Sequence, residues 1–383
     1  MIRNQRNIAL LFAVLFLQGM VFYSPVATLY RQESGLDLVQ IGGIESFSLA
    51  LMLLLELPWG WLADRLGHRR TIVLCAFVFA ASKVVFWRAE TFAAFLAERA
   101  LLAVSLSGLS GCDSAFLFAC CRDGGHRRAY ALSQAVQTLG VLAASLSWPL
   151  WGGTYRLAAL LTVGSYTAAA LLTLGLAEPE GERAAQTRTA EPLSFAQAAR
   201  RTLALAPVLL AFCLAEETGQ SVTVFLSPLL YTRAGIPQQW FGALHAAMTA
   251  AGLLGGLSHR MSRRLGQRRA AAALLTAGTA ACLLPVLSPA PAAAVLGVTA
   301  LRAVQSLLTP LSLSIQNERA HPTGRAAQLS CNAMLMDVGS MCLYPAFGAL
   351  AGQGVERALL LGAACCCAAA LVLFGAGAGQ PAS

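Results

Sequence analysis

An all-α membrane protein, with twelve transmembrane helices in two pseudo-symmetric six-helix bundles, is the fold class this sequence predicts. Three observations carry the prediction. Of 383 residues, 57% are hydrophobic and 12% charged, with a mean hydropathy of +0.63; a soluble domain carries about 25% charged residues. About 20 apolar residues cross a bilayer as a helix, and the chain offers twelve such windows. The tract Arg65-Leu66-Gly67-His68-Arg69-Arg70 returns 199 residues later as Arg264-Leu265-Gly266-Gln267-Arg268-Arg269, each copy between two long apolar stretches. A basic, glycine-containing turn repeated after half a chain indicates a duplicated membrane bundle.

Taken in order, the spans fall at approximately 8–30, 40–62, 71–88, 92–121, 128–152, 155–177, 203–231, 238–258, 270–288, 293–319, 325–351 and 355–376. The first reads as a retained helix. Its apolar run from Ile8 is longer than a signal core, no small-residue cleavage site ends it, and Tyr23 and Tyr30 lie inside it. Spans two and three flank the first basic turn, and span five ends in Trp148-Pro149-Leu150-Trp151-Gly152-Gly153. After span six the chain turns polar, with Glu178, Pro179, Glu180, Glu182, Arg183 and Pro192. The expected domains are therefore 1–177, a cytoplasmic linker 178–202, and 203–383. Residues 193–202 read either as a short amphipathic helix on the membrane surface or as a plain tether. Spans seven to twelve repeat the first six beyond the basic turn. Trp148-Pro149-Leu150-Trp151-Gly152 returns as Tyr344-Pro345-Ala346-Phe347-Gly348, and Arg128-Ala129 as Arg325-Ala326.

Charge placement sets the orientation. Arg65, Arg69, Arg70, Arg122, Arg128, Arg200, Arg260, Arg264, Arg268 and Arg319 all fall on one side of the predicted membrane. The opposite loops carry Arg31, Arg88, Arg156, Arg233 and Arg357. Arginine-rich loops stay in the cytoplasm, so both termini are expected there, in a multi-pass protein of the cell membrane. The net charge of +9 is then a topology signal and does not imply nucleic-acid binding.

Several classes are disfavoured. Eleven cysteines include no C-x-x-C pair and lie largely inside spans, where free cysteine behaves as a small hydrophobe; no metal and no cofactor is expected. Neither G-x-S-x-G, H-E-x-x-H nor a phosphate-binding Gly-Lys-Ser/Thr occurs, and Lys83 is the sole lysine. An enzyme or a nucleotide-driven pump is not indicated.

Charges inside the spans are the functional candidates, since each costs about 2.5–3.5 kcal/mol at mid-bilayer on insertion scales. At about 1.5 Å rise per residue, Glu56 in span two and Asp113 in span four reach a similar inner depth, where like charges repel. Either acid could instead pair with Arg65 or Arg122. Glu216 and Glu217 in span seven and Asp337 in span eleven fall near the midplane of the second half. Neighbouring helical residues point about 100° apart, so only one of the two glutamates is expected to face a cavity squarely. Lys83, at similar depth, is placed to neutralise one acid. His245 in span eight reads as a packing histidine sooner than a titrating one. Gln18, Tyr23, Gln220 and Gln305 are the uncharged cavity candidates, with helix-bridging as the plainer alternative.

The loop Gly60-x-x-x-Asp64-Arg65-x-Gly67-x-Arg69-Arg70 resembles the most specific signature of the major facilitator superfamily, and the resemblance extends over nearly the whole chain. Ser110-Gly111-Cys112-Asp113-Ser114-Ala115-Phe116-Leu117 and Glu56-Leu57-Pro58-Trp59-Gly60 are similar to patterns in poorly characterised prokaryotic members assigned as drug/proton antiporters. Pro149, Gly152 and Gly153 match an element late in span five of proton-driven exporters, although Trp148 stands where that element has glycine. The resemblance implies two halves that rock about a central cavity. It further implies a cytoplasmic latch in which Asp64 lies against the start of span eleven, near Arg325. A carboxylate at a helix N-terminus is stabilised by about 0.3–1 kcal/mol. The second copy has Arg263 at that place, so its latch should be weaker.

The expected function is secondary active transport of a small molecule by alternating access. Acids outnumber bases within the spans, which favours proton-coupled efflux of amphipathic or cationic compounds. Proton-coupled uptake of a small polar solute is the alternative, and a non-transporting membrane sensor on the same fold a more distant one. Glu56, Asp113, Glu216, Glu217 and Asp337 are the expected coupling residues, and the expected partners are the solute, protons and the bilayer, with the protein a monomer.

Overall fold

The computed structural model describes residues 2–121, 126–151, 154–179, 195–320 and 325–375. Twelve helical spans long and apolar enough to cross a membrane run from Arg3–Glu33 to Val355–Leu373. Their outward faces are greasy. Leu287 is 80% exposed, Leu150 76% and Leu54 72%, which in a protein of this composition is a lipid-facing coat.

The described chain clusters into two compact units. The first comprises Met1–Leu36, Phe47–Arg188 and Gln239–Ala246; the second comprises Asp37–Ser46, Thr189–Gln238 and Ala247–Ser383. The first residues of spans two and eight, within Asp37–Ser46 and Gln239–Ala246, thus cluster apart from the rest of their own helices. Within the first unit, span one packs on spans five and six, and span three on spans four and six. Within the second, span seven packs on eleven and twelve, and span nine on ten and twelve. The same pairing, shifted by six helices, is the duplication made structural.

The repeated basic turn is a repeat of backbone as well as of letters. Gly67 has φ 82° and ψ 152°, and Gly266 has φ 79° and ψ 150°. Side chains avoid this region, so glycine is what lets span two fold back into span three and span eight into span nine. Close packing uses glycine too. A Cβ on Gly140 would lie 2.1 Å from the Phe16 carbonyl oxygen, and one on Gly19 2.2 Å from that of Gln137. Spans one and five therefore cross backbone to backbone, as small residues permit in membranes.

Several spans depart from the uninterrupted helices the sequence predicts. Span one breaks after Gly19 into a 3-10 turn, Ser24–Val26, containing Pro25. Span four, expected unbroken, splits into Phe92–Leu109 and Cys112–Cys120 at Gly111, whose φ is +80°. Span seven carries a π-helical turn, Ser221–Leu226, and span eight a 3-10 stretch, Gly252–Leu257, rich in glycine. Residues 180–194 of the linker lie outside the described residues. From Phe195 the chain is the continuous helix Phe195–Gln220, so residues 195–202 form the first turns of span seven and not a separate surface helix, and Thr202 Oγ1 donates to Asn332 Oδ1 at 2.8 Å.

Candidate functional site: a polar cavity in the second unit

The second unit holds a cavity of about 410 Å³, within the range that takes small organic molecules. Three helices build it, each contributing one stripe. Cys213, Glu216, Glu217 and Gln220 come from span seven; Gln305, Thr309, Ser312, Leu313 and Gln316 from span ten; Leu329, Ala333, Met336, Asp337 and Ser340 from span eleven. Steps of three and four residues keep side chains on one helical face. Glu216 and Glu217 lie at the middle of the span Gln197–Arg233, and Gln305 midway along Pro291–Arg319. Asp337 sits near the middle of the helix Arg325–Gln353. Three acids therefore meet at mid-depth.

Both glutamates line the cavity, against the expectation that only one would. Directions about 100° apart straddle a cavity that spans two neighbouring helices. Their surroundings differ. Glu217 is buried, and its carboxylate accepts from Ser221 Oγ at 3.2 Å and also bonds Ser340 and Tyr344. Glu216 is more open and bonds Thr309, whose single hydroxyl proton also points to the Gln305 carbonyl at 3.1 Å. Gln305 lies across span seven, donating to the Glu216 carbonyl at 3.4 Å and accepting from Arg302 Nη1 at 2.9 Å. Below these, a buried chain runs from Thr202 through Asn332 to Gln316 Oε1 (3.2 Å), and from Gln316 Nε2 to Ser312 (3.1 Å). It ties spans seven, eleven and ten together, and such satisfied networks hold a site rigid. Pro310 removes one helical hydrogen bond beside Thr309. No lysine, arginine or aromatic ring is among the described lining residues.

The remaining sequence candidates are spread through the first unit. Glu56 is exposed on the helix Leu38–Leu66, two residues before Pro58. Asp113 opens the short helix Cys112–Cys120, and its Oδ1 accepts from the Ser114 amide at 2.7 Å. No hydrogen bond or ion pair joins the two among the described residues. In the loop, Gly60 and Asp64 lie in the final turns of the span-two helix. Arg65 stacks 3.7 Å over the Trp61 ring. Arg69 Nε donates to the Leu176 carbonyl at 2.6 Å, fastening the turn to the end of span six. Arg70 is exposed. Pro149 falls in the 3-10 turn Trp148–Trp151; Gly152 and Gly153 lie outside the described residues. Gln18 and Tyr23 are buried in the first unit. The Gln18 carbonyl accepts from Tyr166 Oη at 2.6 Å, and His245 sits between the hydroxyls of Ser24 (3.1 Å) and Ser145 (2.8 Å).

Lys83 does not neutralise any of the cavity acids. Its Nζ lies 3.7 Å from Glu98 Oε1 and 3.1 Å from Tyr23 Oη, among the rings of Phe79 and Tyr166 at 5.0 and 5.3 Å. Glu98 is not among the acids that the sequence pattern marks as functional. The separation of Lys83 and Glu98 across the short loop between spans three and four was the available signal, since two helices turning back there bring their adjoining ends together.

Twelve spans and an acid-bearing mid-membrane cavity define a membrane transport protein. Residues 8–341 match the family profile described as Major Facilitator Superfamily, and the chain belongs to that superfamily. It is thus a secondary transporter in class and not an enzyme. Solved structures of the same fold include a point mutant of the nucleoside transporter NupG, 14% identical with TM-score 0.79, covering 96% of this chain and 99% of that one. A bacterial homolog of the human lysosomal transporter Spinster, inward-facing and unoccupied, is 16% identical with TM-score 0.74, covering 98% and 97%. The peptide transporter POT in complex with sulfate is 17% identical with TM-score 0.76, covering 97% and 94%. At such identities the likeness is one of fold. No curated protein matches the chain in sequence.

Proposed function

We propose that the protein exchanges protons for a cationic solute across the cell membrane by alternating access, exporting the solute. The observation that carries this reading is the convergence of Glu216, Glu217 and Asp337 in one cavity with no base among its described lining residues. Neighbouring carboxylates in a desolvated site cannot all stay charged and empty. They must take up protons or a cation, and competition between the two is exchange. Glu217, enclosed by hydroxyls, is the proton carrier; Glu216 and Asp337 receive the solute. Glu56 and Asp113 contribute to coupling in the first half. The loop Gly60–Arg70, with Asp64, Arg65, Gly67 and Arg69, acts as the cytoplasmic latch, and Pro149, Gly152 and Gly153 serve as the exporter-type element late in span five. The protein works as a monomer.

Purified protein in liposomes with an imposed pH gradient tests this. Cation flux should collapse when the gradient is dissipated, and Glu217→Gln should lower gradient-driven flux at least tenfold. Gradient-independent flux, or none with any cation, would sink the proposal; the latter result would favour a sensor. Uptake of a small polar solute is the second reading, favoured by the amides and hydroxyls of the lining and by the nucleoside and peptide substrates named for neighbours of the same fold. Solute accumulating on the acidic side speaks for export, and on the alkaline side for uptake.

A further inference from the structure

The hydrogen-bond balance of the cavity narrows the kind of cation it holds, given the reading that it holds one. Several of the donors in the lining are spent on the protein itself. Gln305 Nε2 is directed to the Glu216 carbonyl and Gln316 Nε2 to Ser312. The Thr309 hydroxyl has one proton for two acceptors, and Ser221 and Ser340 are drawn to Glu217. Ionised carboxylates only accept, with about four lone-pair positions each. The cavity is therefore rich in charged acceptors and poor in donors. Each carboxylate has more lone-pair positions than the protein's own hydroxyls fill, and an unmet buried acceptor position is costly, about 1–3 kcal/mol and more when charged, so the fitting occupant brings N–H groups of its own. A cation without N–H groups is held instead by aromatic faces, and no ring is among the described lining residues.

We propose that the solute is a hydrophilic primary ammonium or guanidinium compound, not a lipophilic quaternary cation. Its charged head donates to Glu216 and Asp337, while Gln220 and Ser312 meet hydroxyl or amine groups along the remainder. Small alkyl segments rest on Leu313, Leu329 and Met336. The cavity thus selects by donor count, and lipophilicity adds little.

Agmatine and tetraphenylphosphonium separate the two classes. Calorimetry on the full-length protein in detergent should show saturable agmatine binding that tetraphenylphosphonium does not displace. Glu216→Gln should weaken agmatine at least tenfold. Tetraphenylphosphonium displacing agmatine, or binding tenfold tighter, would overturn this assignment and leave cation–proton exchange standing. Binding of neither probe, with no cation-driven proton movement in liposomes, would overturn both. Should Glu216→Gln not fold, the comparison of the two probes on the unmodified protein still decides, and Asp337→Asn supplies the second variant, with the same tenfold loss expected.

Discussion

At the scale of the residue, the two halves treat charge in opposite ways. In the first, Lys83 and Glu98 are both almost fully buried and close to one another, and the rings of Phe79 and Tyr166 add cation–π contacts to the ammonium. In the second, the acids Glu216 and Glu217 border open space. A buried pair is often no more stable than an apolar replacement, but removing one partner strands the other, at about 3–5 kcal/mol. Arg99 Nε, 3.6 Å from Glu98 Oε2, still compensates part of that charge, so Lys83→Met should lower the thermal unfolding temperature by less than full stranding would, and Lys83→Met with Glu98→Gln should restore most of the loss. Equal damage in the single and double variants would show that the pair is not what holds the cluster. Glu98 illustrates what the sequence withholds. Its identity as an intramembrane acid is plain, whereas its assignment to structure and not to coupling rests on a partner fifteen positions away.

Elements show the same division. The twelve spans were legible because apolar length is a local property of the chain. The breaks were less so. Gly111 reads as one glycine among many, and only the fold shows that its positive φ divides span four and sets Asp113 in a fresh first turn. Span ten carries the plainest missed signal. Gln305, Thr309, Ser312 and Gln316 are spaced by four, three and four residues, a polar stripe on one helical face of which only Gln305 stands among the cavity candidates named from sequence. The repeated turn supports a test at this scale. Gly67→Ala and Gly266→Ala would each force a side chain into a backbone region that costs about 1–3 kcal/mol. Gly60→Ala, in a helix and with nothing within 4 Å of the added Cβ, should be nearly neutral. Unfolding temperatures of the three variants check this ranking; equal effects would contradict it.

Over the whole molecule, the internal repeat of sequence becomes a repeat of packing. Spans one and three choose partners five and six, four and six; seven and nine choose the same ones shifted by six. Symmetry of backbone has not kept symmetry of chemistry, for the acid cavity belongs to the second unit and the buried ion pair to the first. Orientation remains a matter of arginine placement. An epitope at either terminus should be reached by antibody only after cells are permeabilised. One inserted at Pro289, between spans nine and ten, should be reached in intact cells. Labelling in the reverse pattern would invert the topology.

The sequence by itself determined the solvent, the number of spans, the duplication and the superfamily, because hydropathy, charge placement and a tandem motif are written along the chain. Tertiary structure alone decided which acids share a cavity, which is locked to lysine, and where the helices break. Those outcomes depend on side chains meeting across helices far apart in sequence, and on backbone angles at single glycines, neither of which a linear pattern encodes.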